Sequence, residues 1–78
     1  MQVRFFAGAA EAAGTEVLSV DDAPTVAALL ERLGQGNERL AQVLAVSSLL
    51  ADGARVADPA ASLDGVAQLD VLPPFAGG

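Results

Sequence analysis

Pro73-Pro74-Phe75-Ala76-Gly77-Gly78 closes the sequence, and no part of that run suits a core, a helix or a turn. Two consecutive prolines hold φ near −65° and push Leu72 and Pro73 toward extended or polyproline backbone, so the chain is expected to leave its last strand stiff and straight. Gly77 and Gly78 carry no side chain. At about 3.1 to 3.5 Å per residue, six such residues reach about 20 Å from a folded body and end in a point slim enough for a narrow channel. Simple fraying of a terminus accounts for none of this order, in which a rigid segment is followed by a large apolar side chain and then by bare backbone. The sequence therefore divides into a body, residues 1–72, and an extended tail, residues 73–78.

The body reads outward from the tail as strand, turns, helices and strands. Gln68 to Leu72 alternates, with Leu69 and Val71 on one face. Upstream, Leu63 is placed to plug a core, and Val46 to Leu50 and Arg55-Val56 flank Asp52-Gly53, a dipeptide suited to a tight hairpin. Thr25 is set to cap a helix with an apolar stripe at Val26, Leu29, Leu30 and Leu33, and Gly34 stands as its closing glycine. Asn37 starts a shorter helix carrying Leu40, Val43 and Leu44. At the other end Val3, Phe5 and Ala7 alternate with Arg4 and Phe6. Ala9 to Ala13 can make a helical turn ended by Gly14, and Thr15 to Val20 reads as a second strand, antiparallel to the first. The pattern is that of an α+β domain with helices packed on one face of a mixed sheet.

Val71-Leu72-Pro73-Pro74-Phe75-Ala76-Gly77-Gly78 resembles the ending of the MoaD family, the small subunit of molybdopterin synthase, and more broadly the ubiquitin-like MoaD and ThiS sulfur carriers. The similarity extends to Val3-Arg4-Phe5-Phe6-Ala7, to Pro24-Thr25-Val26 with Leu29 and Leu30, and to Leu50 with Asp52-Gly53, so it covers nearly the whole chain. One departure stands out: the family often has a Gly-Asp turn before the last strand, and here Asp64-Gly65 comes earlier, followed by Val66-Ala67. The resemblance implies a β-grasp (ubiquitin-like) fold in which the first and last strands lie side by side and parallel.

Composition narrows the chemistry. The 78 residues make one small domain without cysteine and with 53% apolar residues, so packing alone must hold it together. A net charge of −6 opposes binding to nucleic acid and to anionic membrane surfaces. With no export signal and no long apolar run, the expected location is the cytoplasm. The sequence has no His, Cys, Lys, Tyr or Trp, so the hydroxyls of Thr15, Ser19, Thr25, Ser47, Ser48 and Ser62 have no imidazole or amine to activate them. Asp52, Asp58, Asp64 and Asp70 recur beside Gly or Pro or at strand edges, which is turn chemistry, and they lack the spacing of a calcium loop. No metal site is expected.

The remaining reactive group is the carboxyl of Gly78, which at neutral pH is a carboxylate and a poor electrophile. The resemblance implies that an ATP-dependent activating enzyme adenylates Gly78 and that a sulfur donor converts it to a thiocarboxylate. This then donates sulfur to a pterin precursor in the large subunit of molybdopterin synthase, as a step of molybdenum cofactor biosynthesis. On that reading Pro73, Pro74, Phe75, Ala76 and Gly77 occupy a channel and the chain needs no cofactor of its own. It acts as the sulfur-donating subunit of a sulfurtransferase, without catalytic side chains. Three other readings stay open: a sulfur carrier for thiazole or cysteine synthesis, a ubiquitin-like modifier joined through Gly78, and a plain β-grasp binding module.

Strand parity supplies an interface. With Val3 and Phe5 turned to the helices, Arg4 and Phe6 face away, and with Leu69 and Val71 inward, Gln68, Asp70 and Leu72 face out. If the first and last strands are neighbours, Phe6 and Leu72 share the outer face beside Arg4 and Asp70. Phe75 extends it, making Phe6, Leu72 and Phe75 the expected partner surface.

Overall fold

The computed structural model describes residues 1–74, in which β1 (Gln2–Phe5) is followed by α1 (Gly8–Ala13), β2 (Val17–Ser19), α2 (Val26–Gly34) and α3 (Glu38–Ala45), and then by β3 (Ser48–Ala51), β4 (Ala54–Val56) and β5 (Gln68–Leu72). The strands form one mixed sheet in the order β2-β1-β5-β3-β4. β1 and β5 are parallel neighbours, with Val3 opposite Leu69 and Phe5 opposite Val71. The other three pairings are antiparallel. This is the β-grasp arrangement.

Parity makes the core. Val3, Phe5, Leu69 and Val71 of the two central strands are buried together with Leu49, under Val26, Leu29 and Leu33 of α2 and Leu40 and Leu44 of α3. Leu63, from the long connection before β5, is buried among them. At about 25 cal/mol per Å² of apolar surface, these side chains are the main source of stability in a chain with no disulfide.

The helix starts are those the sequence marks. Thr25 accepts the Ala28 N–H at 3.2 Å and Asn37 accepts the Leu40 N–H at 3.0 Å. The first amides of α2 are also satisfied from outside the helix: Val26 donates to the Ala61 carbonyl at 3.1 Å and Ala27 to that of Pro59 at 2.9 Å. Gly14, in the left-handed region, ends α1 as expected.

Three local expectations are corrected. Gly34 is the last residue of α2 and not its left-handed cap; Gly36, with φ 73°, takes that conformation. Gly34 is needed for a different reason, since a Cβ there would lie 3.0 Å from the Cβ of Ala41 where α3 crosses. The strand anticipated from Val46 begins only at Ser48, because the N–H groups of Val46 and Ser47 still bond the carbonyls of Val43 and Leu44 and close α3. Ala7 does not continue β1. It turns to φ 49°, ψ −127° and lies exposed.

The hairpin turn at Asp52 (φ 47°) and Gly53 (φ 85°) has both residues left-handed, the primed geometry that suits the twist of β3 and β4. The Asp52 carboxylate also reaches across to the start of β5, accepting from Gln68 N–H at 3.0 Å and Ala67 N–H at 3.2 Å, and Asp52 N–H donates to the Gln68 carbonyl at 2.8 Å.

Candidate functional site: the exit of the C-terminal tail

The tail leaves from the middle of the sheet. β5 is flanked by β1 on one side and β3 on the other, and the ladder to β1 stops at a point set by one residue. Along the parallel ladder Gln2 donates to the Ala67 carbonyl and Phe6 to that of Val71, at 2.9 and 3.2 Å. By the same repeat the Phe6 carbonyl would accept from residue 73, which is a proline and has no N–H. That carbonyl instead accepts from Ala9 at 3.0 Å, across a tight turn through Ala7 and Gly8 that opens α1. Pro73 is buried against the body and Pro74 is exposed, so the departing backbone is anchored at one proline and free at the next. Phe75, Ala76, Gly77 and Gly78 lie outside the described residues.

Beside the exit, the outer face of the sheet gathers the side chains that parity assigns to it. Arg4 donates from Nε to Asp70 Oδ1 at 2.9 Å and from Nη2 to Oδ2 at 3.3 Å, and its guanidinium carbon lies 5.4 Å from the centre of the Phe6 ring. The hydrogen bond to Asp70 holds the Arg4 pKa above the ordinary arginine range. Gln68 Nε2 donates to Asp70 Oδ1 at 3.3 Å. Phe6 is 36% exposed and Leu72 half-buried.

Pairing adds members that the sequence alone did not identify. Val17 stands opposite Arg4 and is 46% exposed. Leu50 stands opposite Asp70 and Ser48 opposite Leu72. Each lies on a strand whose partner and register no local pattern encodes. Val46, 64% exposed at the end of α3, was also missed, because its β-branched side chain fitted the strand expected there.

Three of the four recurring aspartates have structural work. Asp52 holds the entry of β5, Asp58 Oδ1 accepts the Ala60 N–H at 2.9 Å, and Asp70 is paired with Arg4. Among the described residues no group of three or more His, Cys, Asp or Glu is placed to hold a metal ion, and no helix is long and apolar enough to cross a membrane. An open cavity of about 570 Å³ lies between Asp21, Asp22 and Asp64 at the start of α2. It is at the end of the sheet opposite the tail exit, and the helix amides there are already bonded to the 59–61 loop. The distinctive chemical feature is therefore a rigid launch point for the tail with an apolar, arginine-centred surface beside it.

Solved structures share this architecture. The chain is similar to SAMP1 from Haloferax volcanii, with 28% identity, a TM-score of 0.71 and coverage of 99% of this chain and 97% of that one. It is similar to the Haloferax volcanii HVO 2177 protein, with 30% identity, a TM-score of 0.75 and coverage of 99% and 84%. H. volcanii small archaeal modifier protein 1 has the same fold, at 24% identity, a TM-score of 0.63 and 94% of both chains. No curated protein matches the sequence. The family model known as ThiS matches residues 3–78, tail included, and with the β-grasp sheet and its central exit strand that match makes the chain a member of the ThiS family, within the superfamily of sulfur carriers and ubiquitin-like proteins.

Proposed function

We propose that this chain is a ubiquitin-like protein modifier whose working group is the carboxyl of Gly78. An ATP-dependent enzyme adenylates that carboxyl and releases pyrophosphate. An amine of another protein then attacks the acyl carbon, AMP leaves, and an amide bond joins Gly78 to the target. The observation that carries this reading is the exit geometry: a central strand ends at a buried proline and hands on a short tail closing in Phe-Ala-Gly-Gly, in a sequence with no His, Cys or Lys to do chemistry itself. The likeness to SAMP1 along nearly the full length of both chains, and the word modifier in the name of a structural neighbour, support amine transfer over other fates of the adenylate.

Membership of the ThiS family through residue 78 favours a second reading, in which a sulfur donor displaces AMP and leaves a thiocarboxylate on Gly78. In its pterin version the acceptor lies in the large subunit of molybdopterin synthase, with Pro74, Phe75, Ala76 and Gly77 in the channel and Pro73, expected there too, kept against the body where it is buried. Phe6, Leu72 and Phe75 then form the contact surface. Both readings share the adenylation step and a basic partner face matched to the net charge of −6.

Intact-mass and peptide analysis after incubation with ATP, the activating enzyme, a sulfur donor and cell extract separates them. Ala-Gly-Gly remnants, left on lysines of other proteins by cleavage after Phe75, mark the modifier, and a protein with one oxygen exchanged for sulfur, without adducts, marks the carrier. Deleting Gly78 or adding a residue after it should abolish both products without unfolding the body. Activity that survives an unprocessed extension would overturn the assignment of Gly78.

A further inference from the structure

We infer that α1 is a strained flap, sprung at Ala7 and latched by Asn37, which lifts from the body while the sheet stays folded.

The spring is a residue that does not suit its backbone. The Phe6 carbonyl accepts from Ala9 N–H at 3.0 Å across Ala7 and Gly8, and Ala7 holds φ 49°, ψ −127°. Those angles belong to the first central position of a type II′ turn, which glycine normally fills because a Cβ crowds the backbone there. Gly8 stands one residue late and has no positive φ. An alanine in that region is strained and persists only while its surroundings hold it. What holds Ala7 is α1 itself, since the Ala7 carbonyl accepts from Ala10 and Glu11 N–H at 3.0 and 3.3 Å. Unwinding α1 breaks those bonds and lets Ala7 relax to ordinary extended backbone.

Little else keeps α1 wound. It has 6 residues and no side-chain cap at its start, and a helix shorter than about 12 residues is marginal without tertiary support. Toward the body it offers only alanines, with Ala9 buried and Ala10, Ala12 and Ala13 partly so, whereas α2 and α3 bury valine and leucine. Few buried apolar contacts are the mark of a segment that opens by itself. The latch comes from the start of α3. Asn37 donates from Nδ2 to the Ala12 carbonyl at 2.9 Å, while its Oδ1 accepts the Leu40 N–H at 3.0 Å. One side chain therefore both caps α3 and ties the flap down.

The flap bounds a groove. Ala13 lines an open cavity of about 370 Å³ between β2, α2 and α3, together with the buried side chains of Phe5, Val20, Leu33 and Leu40 and the exposed Leu18. Lifting α1 removes that wall and opens an apolar cleft onto the core.

Amide hydrogen exchange followed by NMR on the full chain tests the flap. In wild type, protection at Ala10, Glu11 and Gly14, whose N–H groups bond within the turn and helix, should be at least about a hundredfold lower than at Leu29 of α2, which bonds the Thr25 carbonyl at 3.0 Å. Ala7→Gly relieves the strain and should raise protection at Ala10 and Glu11 by about threefold to thirtyfold, although glycine normally weakens a helix start relative to alanine. Asn37→Asp and Asn37→Ser keep a good cap for α3 but remove the donor to Ala12, and each should lower protection in α1 by about fivefold. Fluorescence of the neutral apolar dye Nile red should rise with both Asn37 variants and not with Ala7→Gly. Protection in wild-type α1 equal to that of Leu29 would show that α1 opens only when the whole domain does, and overturns the flap. So does lower protection in Ala7→Gly, which would mean that no strain is stored there. Faster exchange in the Asn37 variants without added dye fluorescence would show α1 fraying without baring the groove, and overturns it as well.

Discussion

Arg4 and Asp70, 66 positions apart in sequence, form a two-pronged ion pair across the parallel pairing of β1 with β5, with Nε to Oδ1 at 2.9 Å and Nη2 to Oδ2 at 3.3 Å. The Arg4 side chain is 44% exposed, so the pair orients groups more than it stabilises the fold. It holds the guanidinium over Phe6. Asp70→Asn should lower the unfolding midpoint by no more than a few degrees, and added salt should shrink the difference from wild type. Because the Arg4 pKa is raised in the folded protein, its share of stability is fully present below the unfolded arginine value and is lost only as pH climbs through the folded one. Unfolding of wild type at about pH 6 to 10 should therefore show no step attributable to Arg4.

Adjacent phenylalanines should behave oppositely. Phe5 is buried in the core and Phe6 is turned outward. Phe5→Ala should cost about 3 to 5 kcal/mol of stability, and Phe6→Ala much less while weakening partner binding by about 1 to 2 kcal/mol. Chemical denaturation paired with titration against the partner checks both. Equal destabilisation by the two variants would contradict the parity of β1.

Gly34→Ala sets two effects against each other. Alanine gains up to about 1 kcal/mol of helix propensity, less at a last helical residue. The new methyl would meet the Ala41 Cβ at 3.0 Å and its Cα at 3.4 Å, an overpacking that costs about 1 to 3 kcal/mol. The midpoint should fall. Ala41→Gly should then be less harmful in the Gly34→Ala background than alone, a coupling that a double-mutant cycle measures directly.

Thr15 guards an open edge. Residues 16 and 20 bond β1 through the Glu16 carbonyl and the Val20 N–H, which leaves the N–H and C=O of Val17 pointing outward. The Thr15 hydroxyl occupies both, donating to the Val17 carbonyl at 2.9 Å and accepting from its N–H at 3.4 Å. Thr15→Ala should expose an edge ready to pair with a second chain, seen as concentration-dependent association in light scattering, and Thr15→Ser should not. A Thr15→Ala variant that stays monomeric at high concentration would show that the edge needs no guard.

What could be read from the sequence was whatever a residue decides with its near neighbours. The caps at Thr25 and Asn37, the turn at Asp52-Gly53 and the alternation of Val3 with Phe5 and of Leu69 with Val71 involve only short separations, and all stand where the pattern places them. Gly34 was misread because a glycine at a helix end suits a cap, and its real constraint, Ala41, belongs to the next helix. The hold of Asp52 on Ala67 and Gln68 spans 15 and 16 residues and has no local signature. The candidate site divides the same way. Phe6 and Leu72 could be placed by parity once the two strands were taken as neighbours, whereas Val17, Leu50 and Val46 depend on registers fixed only by the folded sheet.

The central position of β5 has a mechanical consequence. A force applied through the tail, such as a threading machine would exert on a conjugate, runs along a strand hydrogen-bonded on both sides. Those bonds lie across the line of pull, so they bear the load together and cannot be peeled away singly. With Pro73 buried as the first link inside the body, the domain is built to resist being drawn apart by the very end through which it would be attached.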